Sequence, residues 1–141
     1  MTKTDVFSFI NGNMSCNLAT CIDNKPQTRW MLMYKADSDG IVFHTGTMRD
    51  LYRSLLTNPQ VELCFFNGNP ENMIQIRVSG TVEEDKDPVL RKEIIQARPF
   101  LNKVIAEYGE ESIAPFRLRN MVASVWTMEK NTEPKEIIPL S

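Results

Sequence analysis

The sequence is poor in the residues that most enzymes use for acid–base, nucleophilic or metal chemistry. It has one histidine, His44, and three cysteines, of which Cys16 and Cys21 are five residues apart. On a strand that separation points the two thiols to opposite faces, so they cannot share a metal ion without distortion. A lone histidine without a nucleophile elbow does not indicate a Ser-His-Asp or Cys-His pair. We therefore expect no metal site, no catalytic side chain and reduced thiols in the core.

Long apolar segments and an excess of either charge are also lacking. No stretch approaches the roughly 20 apolar residues that span a bilayer. The N-terminal MTKTDVFSFINGN has neither the apolar centre nor the cleavage site of a signal peptide. The formal net charge of -2 provides no basic field for nucleic acid. We expect a single cytoplasmic domain, residues 1–141, with no nucleic-acid or membrane partner.

Short strands at hairpin spacing dominate the predicted secondary structure. The segment MIQIRVSGTV alternates apolar and polar residues, as a strand with one buried face does. Helices are inserted between the strands without strict alternation, which favours a mainly β, α+β fold with an antiparallel barrel or sheet and outer helices. We predict strands over 14–22, 28–34, 41–45, 61–66, 73–82 and 122–128, with a short one at 135–138. We predict helices over 4–10, 47–56 and 100–108, and another that begins at Asp87–Pro88.

The segment VFHTGTMRDLYRSLL joins a strand to a helix through small and hydroxyl residues. Thr47 and Asp50 have the spacing of a capping box. A helix N-terminus has unpaired N–H groups and a positive dipole end, which suit an anion. Thr45 and Thr47 would add hydroxyl donors, Gly46 would let the backbone approach closely, and Arg49 would add a forked donor. On these residues alone, a capped surface helix with a solvated arginine is the simpler interpretation.

Arg29 begins TRWMLMY, an otherwise apolar strand that we expect to be buried. A buried guanidinium needs an anionic partner, which is either a bound anion or an internal carboxylate. Trp30, Trp126 and Gln75 lie on or near predicted strands, and apolar walls with an amide suit a planar heteroaromatic ligand. Plain core packing also explains a tryptophan, because its side chain buries a large area. With so few acid–base groups, the chain points to a cofactor that carries the chemistry.

Taken in order, these segments resemble the FMN-binding split-barrel family that includes pyridoxamine 5'-phosphate oxidase, especially its short general-stress-protein and nitroimidazole-reductase-like branches. The resemblance runs over residues 14–140. It rests on LATCIDNKPQTRWMLMY, GIVFHTGTMRDLYRSLLTNPQVELCFF, IQIRVSGTVEED and ASVWTMEKN. It implies an antiparallel split β-barrel of about six strands with peripheral helices, and FMN bound between the two subunits of a homodimer.

The resemblance also implies which residues bind the cofactor. It assigns Arg29 and Arg49 to the FMN phosphate, Gln75 to the flavin ring, and Trp126 to a contact supplied by the second subunit. The cofactor-binding residues that we predict are Arg29, Trp30, Met31, His44, Thr45, Thr47, Arg49, Gln75 and Trp126. The C-terminal PKEIIPLS lacks the arginine-containing segment that holds the substrate phosphate in the oxidase. Oxidation of pyridoxamine phosphate is therefore not what the resemblance implies.

The function implied is an FMN-dependent oxidoreductase. It would pass hydride or electrons through the flavin between a reductant, such as NADH or NADPH, and a small-molecule acceptor. The alternative is a non-catalytic flavoprotein that stores, carries or senses FMN during stress. A single histidine disfavours haem, the absence of a more basic phosphate groove disfavours a deazaflavin, and an unliganded barrel used for interaction remains open.

Overall fold

One antiparallel sheet contains every strand of the protein. The computed structural model describes residues 1–141. The strands are β1 (Ser15–Ile22), β2 (Lys25–Leu32), β3 (Lys35–Asp37), β4 (Gly40–Gly46), β5 (Gln60–Phe66), β6 (Ile74–Glu84), β7 (Ile113–Thr127) and β8 (Glu136–Pro139). The α-helices are α1 (Lys3–Gly12), α2 (Asp50–Thr57), α3 (Pro88–Ala97) and α4 (Asn102–Tyr108), with short 3-10 helices at Pro99–Leu101 and Glu110–Ser112. The predicted fold class is confirmed, with eight strands rather than about six.

The sheet curls so that its two ends meet without a continuous ladder between them. The strand order is β2-β1-β5-β6-β7-β4-β3, and β8 pairs with β7. Two residues link β2 to β3: Met33 N–H donates to Met14 O at 3.0 Å, and Tyr34 N–H donates to Val42 O at 2.7 Å. These bonds continue the β1–β2 and β3–β4 pairs, so the link joins the two end strands of the sheet and the barrel is split between β2 and β3.

Alternate residues of the strands fill the barrel, as a period of two requires. Leu18, Leu63, Ile76 and Phe116 are fully buried there. Two helices add their apolar faces: Val6 and Ile10 from α1, and Leu51 and Leu55 from α2. No helix of the protein combines the length and the apolar character needed to cross a membrane.

A second apolar cluster lies outside the barrel, between α3 and the pair β4–β7. It contains Val42, Leu90, Ile94, Leu101 and Ile113. Strand β4 is therefore buried on both faces, with odd residues towards the barrel and even residues towards α3. As predicted, α3 begins at Asp87–Pro88, where the Asp87 side chain accepts a hydrogen bond from Val89 N–H at 2.9 Å.

Strand β7 starts nine residues earlier than the sequence predicts, at Ile113 rather than residue 122. Its register against β6 shifts between Ser79 and Thr81, where Asn120 has φ 54°. Gly80 meets this bulge: a Cβ at that position would lie 2.5 Å from Arg119 O. The close approach of two backbones explains the glycine.

The three thiols do not share one environment. Cys16 is buried in the barrel, whereas Cys21 and Cys64 are half-buried, and none forms a disulfide. Burial raises the pKa of Cys16 to about 12, and it also raises the pKa of Cys64. The prediction of core thiols is therefore confirmed for Cys16 alone.

Candidate functional site

The connection between β4 and α2 is a turn, not the predicted capping box. Helix α2 begins at Asp50, and its N-cap residue, Arg49, makes no side-chain capping bond. Arg49 N–H donates to Gly46 O at 3.0 Å, and Thr47 N–H donates to Ser112 O at 2.9 Å. The cap predicted at Thr47 is wrong because the turn that Gly46 and Arg49 close comes before the helix.

The side chains of this segment lie in different environments. Thr45 is 5% exposed and alternates with Phe43 on the barrel side of β4. Arg49 is exposed at the start of α2, and Asp50 beside it is ion-paired with Arg53. The N-terminus of α2 therefore has one unpaired cation, Arg49, and one carboxylate that is already partly neutralised.

Strand β2 is not the buried strand that the sequence predicts, because it forms an edge of the sheet and its first four residues are exposed. Arg29 is half-buried. Its guanidinium donates to Thr20 Oγ1 at 3.1 Å and to Gln27 Oε1 at 3.1 Å. An internal carboxylate partner is therefore ruled out for Arg29 in this chain, since both of its partners are neutral. The positive charge is left without a counterion.

Half of the arginines share this lack of a counterion. Four of the eight arginines are ion-paired: Arg53 with Asp50, Arg77 with Glu62, Arg117 with Asp85, and Arg119 with Glu83. The other four have no carboxylate oxygen within 4.0 Å: Arg29, Arg49, Arg91 and Arg98. The sequence predicts anion binding for Arg29 and Arg49 and assigns no role to Arg91 and Arg98.

Arg98 is a buried cation, 6% exposed, at the C-terminal end of α3. It donates to Met33 O at 2.7 Å and to Leu32 O at 3.3 Å, and its guanidinium carbon lies 5.6 Å from the centroid of the Tyr34 ring. Burial lowers the pKa of Arg98 below its usual value. The side chain thus ties the end of β2 to α3 through main-chain carbonyls, which satisfies the donors without neutralising the charge.

His44 lies on the face of β4 that α3 covers, between two residues that point into the barrel. Its Nε2 atom is buried and has no hydrogen-bond partner. Burial, and secondarily the charge of Arg98, lowers the pKa of His44 to about 4. The ring is therefore neutral near pH 7, and one of its nitrogens is unsatisfied.

Gln75 and Trp126 are cross-strand partners on β6 and β7. Their neighbours Ile76 and Val125 are buried in the barrel, so Gln75 and Trp126 face away from it. Phe66 pairs with Gln75 from the other side. Trp126 Nε1 donates to Asn131 Oδ1 at 2.8 Å.

The two tryptophans lie outside the core. Trp30 is 66% exposed and donates to Ser15 Oγ, and Trp126 is half-buried on the outer sheet face. The core-packing alternative is therefore wrong for Trp30. The side chain of Met31, by contrast, packs in the barrel. Only its main chain is therefore available to contact a ligand.

Within one chain, the predicted residues do not surround a single pocket. Arg29, Thr45 and Arg49 belong to β2, β4 and the start of α2, whereas Gln75 and Trp126 lie on the outer sheet face. A groove of about 310 Å³ separates the β1–β2 hairpin from α2. It is lined by Ile22, Gln27, Asp50, Arg53, Ser54 and Thr57, none of which is a predicted cofactor residue.

Comparison with known proteins connects this arrangement to one family. The sequence model of the family described as pyridoxamine 5'-phosphate oxidase matches residues 3–127. A pyridoxine/pyridoxamine 5'-phosphate oxidase of Actinobacillus succinogenes is 32% identical over 111 residues, which cover 78% of this chain and 51% of the relative. The chain spans about half the length of the curated relatives it matches.

Three solved structures share the fold. A NimC/NimA family protein from Clostridium acetobutylicum superposes with a TM-score of 0.76 at 16% identity, covering 96% of this chain and 91% of that one. General stress protein 26 from Bacillus anthracis gives 0.69 at 16% identity, with 97% of each chain covered. An FAD-binding protein from Mesorhizobium loti gives 0.64 at 14% identity, covering 87% and 94%. At these identities the likeness establishes the fold alone, which agrees with the resemblance seen in the sequence.

Proposed function

We propose that this chain, which belongs to the pyridoxamine 5'-phosphate oxidase family, is an FMN-dependent oxidoreductase that acts as a homodimer. A bound flavin would supply hydride or electron transfer between a reductant, such as NADH or NADPH, and a small-molecule acceptor. The chain's own residues would bind the cofactor, orient it and exclude water. One structural neighbour is named as an FAD-binding protein, which supports a flavin but not the choice between FMN and FAD.

The observation that carries the proposal is the pair of arginines without counterions at the predicted phosphate site. Arg29 is half-buried on neutral partners, and Arg49 is exposed at the N-terminus of α2. Thr45 and Thr47 lie on the segment between β4 and α2. A phosphate monoester carries nearly two negative charges at pH 7 and accepts several hydrogen bonds. These residues therefore fit the phosphate end of FMN.

The isoalloxazine ring would use the outer sheet face. Gln75 offers an amide for the polar edge of the ring, and Trp30 and Trp126 offer aromatic surface. Because Trp126 faces away from the barrel, we propose that a second copy supplies it to the flavin held by the phosphate residues of the first. Exposed apolar residues on the same face, Val122 and Ile137, are the kind of surface that a subunit interface covers.

No side chain of the proposed site is needed as a general acid or base. The only histidine is neutral near pH 7, with Nε2 enclosed between β4 and α3. The protein would therefore set the rate by positioning the flavin and the acceptor.

The test is a flavin-retention experiment followed by reduction. Purified protein is mixed with FMN or FAD, freed of excess ligand by gel filtration and examined for the visible absorbance bands of the flavin. We expect FMN to be retained at one per chain, and NADH or NADPH to bleach its bands. Retained FMN that neither nucleotide reduces would support the alternative of a carrier or sensor, and no retained flavin would refute the proposal.

A further inference from the structure

We propose that Arg91, on α3, is an additional ligand of the anion held at the β4–α2 connection. This inference rests on the proposed function, since the anion meant is the phosphate group of FMN. Neither the sequence motifs nor the resemblance assigns a role to this residue. Three observations carry the assignment: its anchoring point, its unused donors and its lack of a counterion.

The anchoring point lies across the ladder from the predicted phosphate segment. Arg91 Nε donates to Ile113 O at 2.9 Å. Ile113 is the cross-strand partner of Gly46, and Thr47 N–H donates to the preceding carbonyl, that of Ser112. Antiparallel partners of this kind have Cα atoms about 5 Å apart. The head group of Arg91 is therefore fixed on the strand that borders the β4–α2 connection.

The single hydrogen bond leaves most of the guanidinium free. Nε is engaged, whereas neither terminal nitrogen donates a hydrogen bond within the chain. The terminal nitrogens are the fork that grips an oxyanion with two parallel N–H bonds. Arg98, the other unassigned arginine, differs in this respect because both of its terminal nitrogens donate to main-chain carbonyls.

The charge of Arg91 has no neutralising partner, although acidic residues are near it in sequence. Glu110 and Glu111 precede Ser112, and Asp87 caps α3, yet none lies within 4.0 Å of the Arg91 nitrogens. The side chain is half-buried and its position is set by the bond to Ile113. Because the Arg91 guanidinium is fixed in place, with unused donors and no counterion, it is suited to binding an anionic ligand.

With Arg91, three arginines without counterions come from elements that border the β4–α2 connection. Arg49 is the N-cap residue of α2, and Arg91 is held on Ile113, the cross-strand partner of Gly46. Arg29 of β2 donates to Gln27, which lines the groove beside Asp50 at the start of α2. A dianionic phosphate is matched better by several fixed cations than by one. The arrangement thus predicts that the phosphate, rather than the ring, gives the chain most of its selectivity among flavins.

The test compares FMN with riboflavin, which has the same ring system and no phosphate. Full-length wild-type protein, Arg91→Gln and Lys92→Gln are titrated by quenching of flavin fluorescence. Lys92 is the matched control, because it is exposed on the same helix and loses the same charge. We expect Arg91→Gln to bind FMN roughly 10- to 100-fold more weakly, the range for a lost hydrogen bond to a charged group. Riboflavin affinity should stay unchanged, and Lys92→Gln should behave as the wild type.

Arg91→Lys is the second variant, since it keeps the charge without the fork. An intermediate loss of FMN affinity would support the proposal. Equal losses for FMN and riboflavin would overturn it, because Arg91 would then only tie α3 to β7. Unchanged FMN affinity in Arg91→Gln would also overturn it while leaving the proposed function intact. Failure of the wild type to bind either flavin would instead refute the proposed function.

Discussion

Acid should destabilise this protein through His44, whose buried Nε2 has no hydrogen-bond partner. The pKa of His44 falls from 6.5 to about 4 on folding, chiefly because burial disfavours the charged ring. A base whose pKa is lowered by folding binds more protons in the unfolded chain. Its contribution to stability is therefore present above pH 6.5 and is lost as the pH falls through 4.

The size of the effect follows from the same two pKa values. A difference of roughly 2.5 pKa units corresponds to a change of about 3 kcal/mol in the free energy of unfolding between high and low pH. About 2 kcal/mol of this stability should be lost between pH 7.5 and pH 5. At pH 5 His44 is almost fully protonated in the unfolded chain but not in the folded chain.

Urea unfolding of the flavin-free protein at several pH values measures this loss. The matched variant is His44→Gln, which carries an amide of similar size and does not titrate. The free energy of unfolding of the wild type, taken relative to His44→Gln, should fall by about 2 kcal/mol between pH 7.5 and pH 5. Parallel pH profiles for the two proteins would refute the assignment of a neutral, buried ring.

Three further changes test the packing and the interface. Gly80→Ala should destabilise the fold by about 1–3 kcal/mol, the range for overpacking, because the new Cβ would meet Arg119 O. Gly12→Ala is the control: no atom lies within 4 Å of its Cβ position, so its melting temperature should stay close to that of the wild type. Arg98→Met should lower the melting temperature, because the carbonyls of Leu32 and Met33 lose their buried donor. NMR titration of this variant should find the pKa of His44 raised, because the charge of Arg98 lowers it in the wild type. Ile137→Asp should convert the proposed dimer to a monomer in light scattering, because Ile137 is 60% exposed on the outer sheet face; a dimer that persists would contradict that interface.

Local patterns in the sequence predict much of the fold. The alternation from Ile74 onward predicts β6, and Asp87–Pro88 predicts the start of α3. The sequence does not predict the first half of β7, because Arg117 and Arg119 interrupt its apolar residues. Arg117 pairs with Asp85, which directly follows β6, and Arg119 pairs with Glu83 on β6, and these ion pairs exist only in the folded sheet.

The sequence singles out Arg29 and Arg49 because they stand beside apolar or hydroxyl residues. The structure leaves both without a counterion, although Arg29 lies on an edge strand instead of a buried one. Arg91 and Arg98 give no such signal, because an arginine on a helix is ordinarily solvated. Only the packing of α3 on β4 and β7 reveals that they are partly or fully buried without carboxylate partners.

Retention of FMN by Arg29→Gln and wild-type protein tests the central claim most directly. Both proteins are loaded with FMN, passed through a desalting column and compared by absorbance, with circular dichroism as a check that the variant is folded. We expect one FMN per wild-type chain, and an affinity roughly 10- to 100-fold lower in the variant from the loss of a charged hydrogen bond. Equal retention by the two proteins would contradict the phosphate site, and no retention by the wild type would contradict the flavin itself.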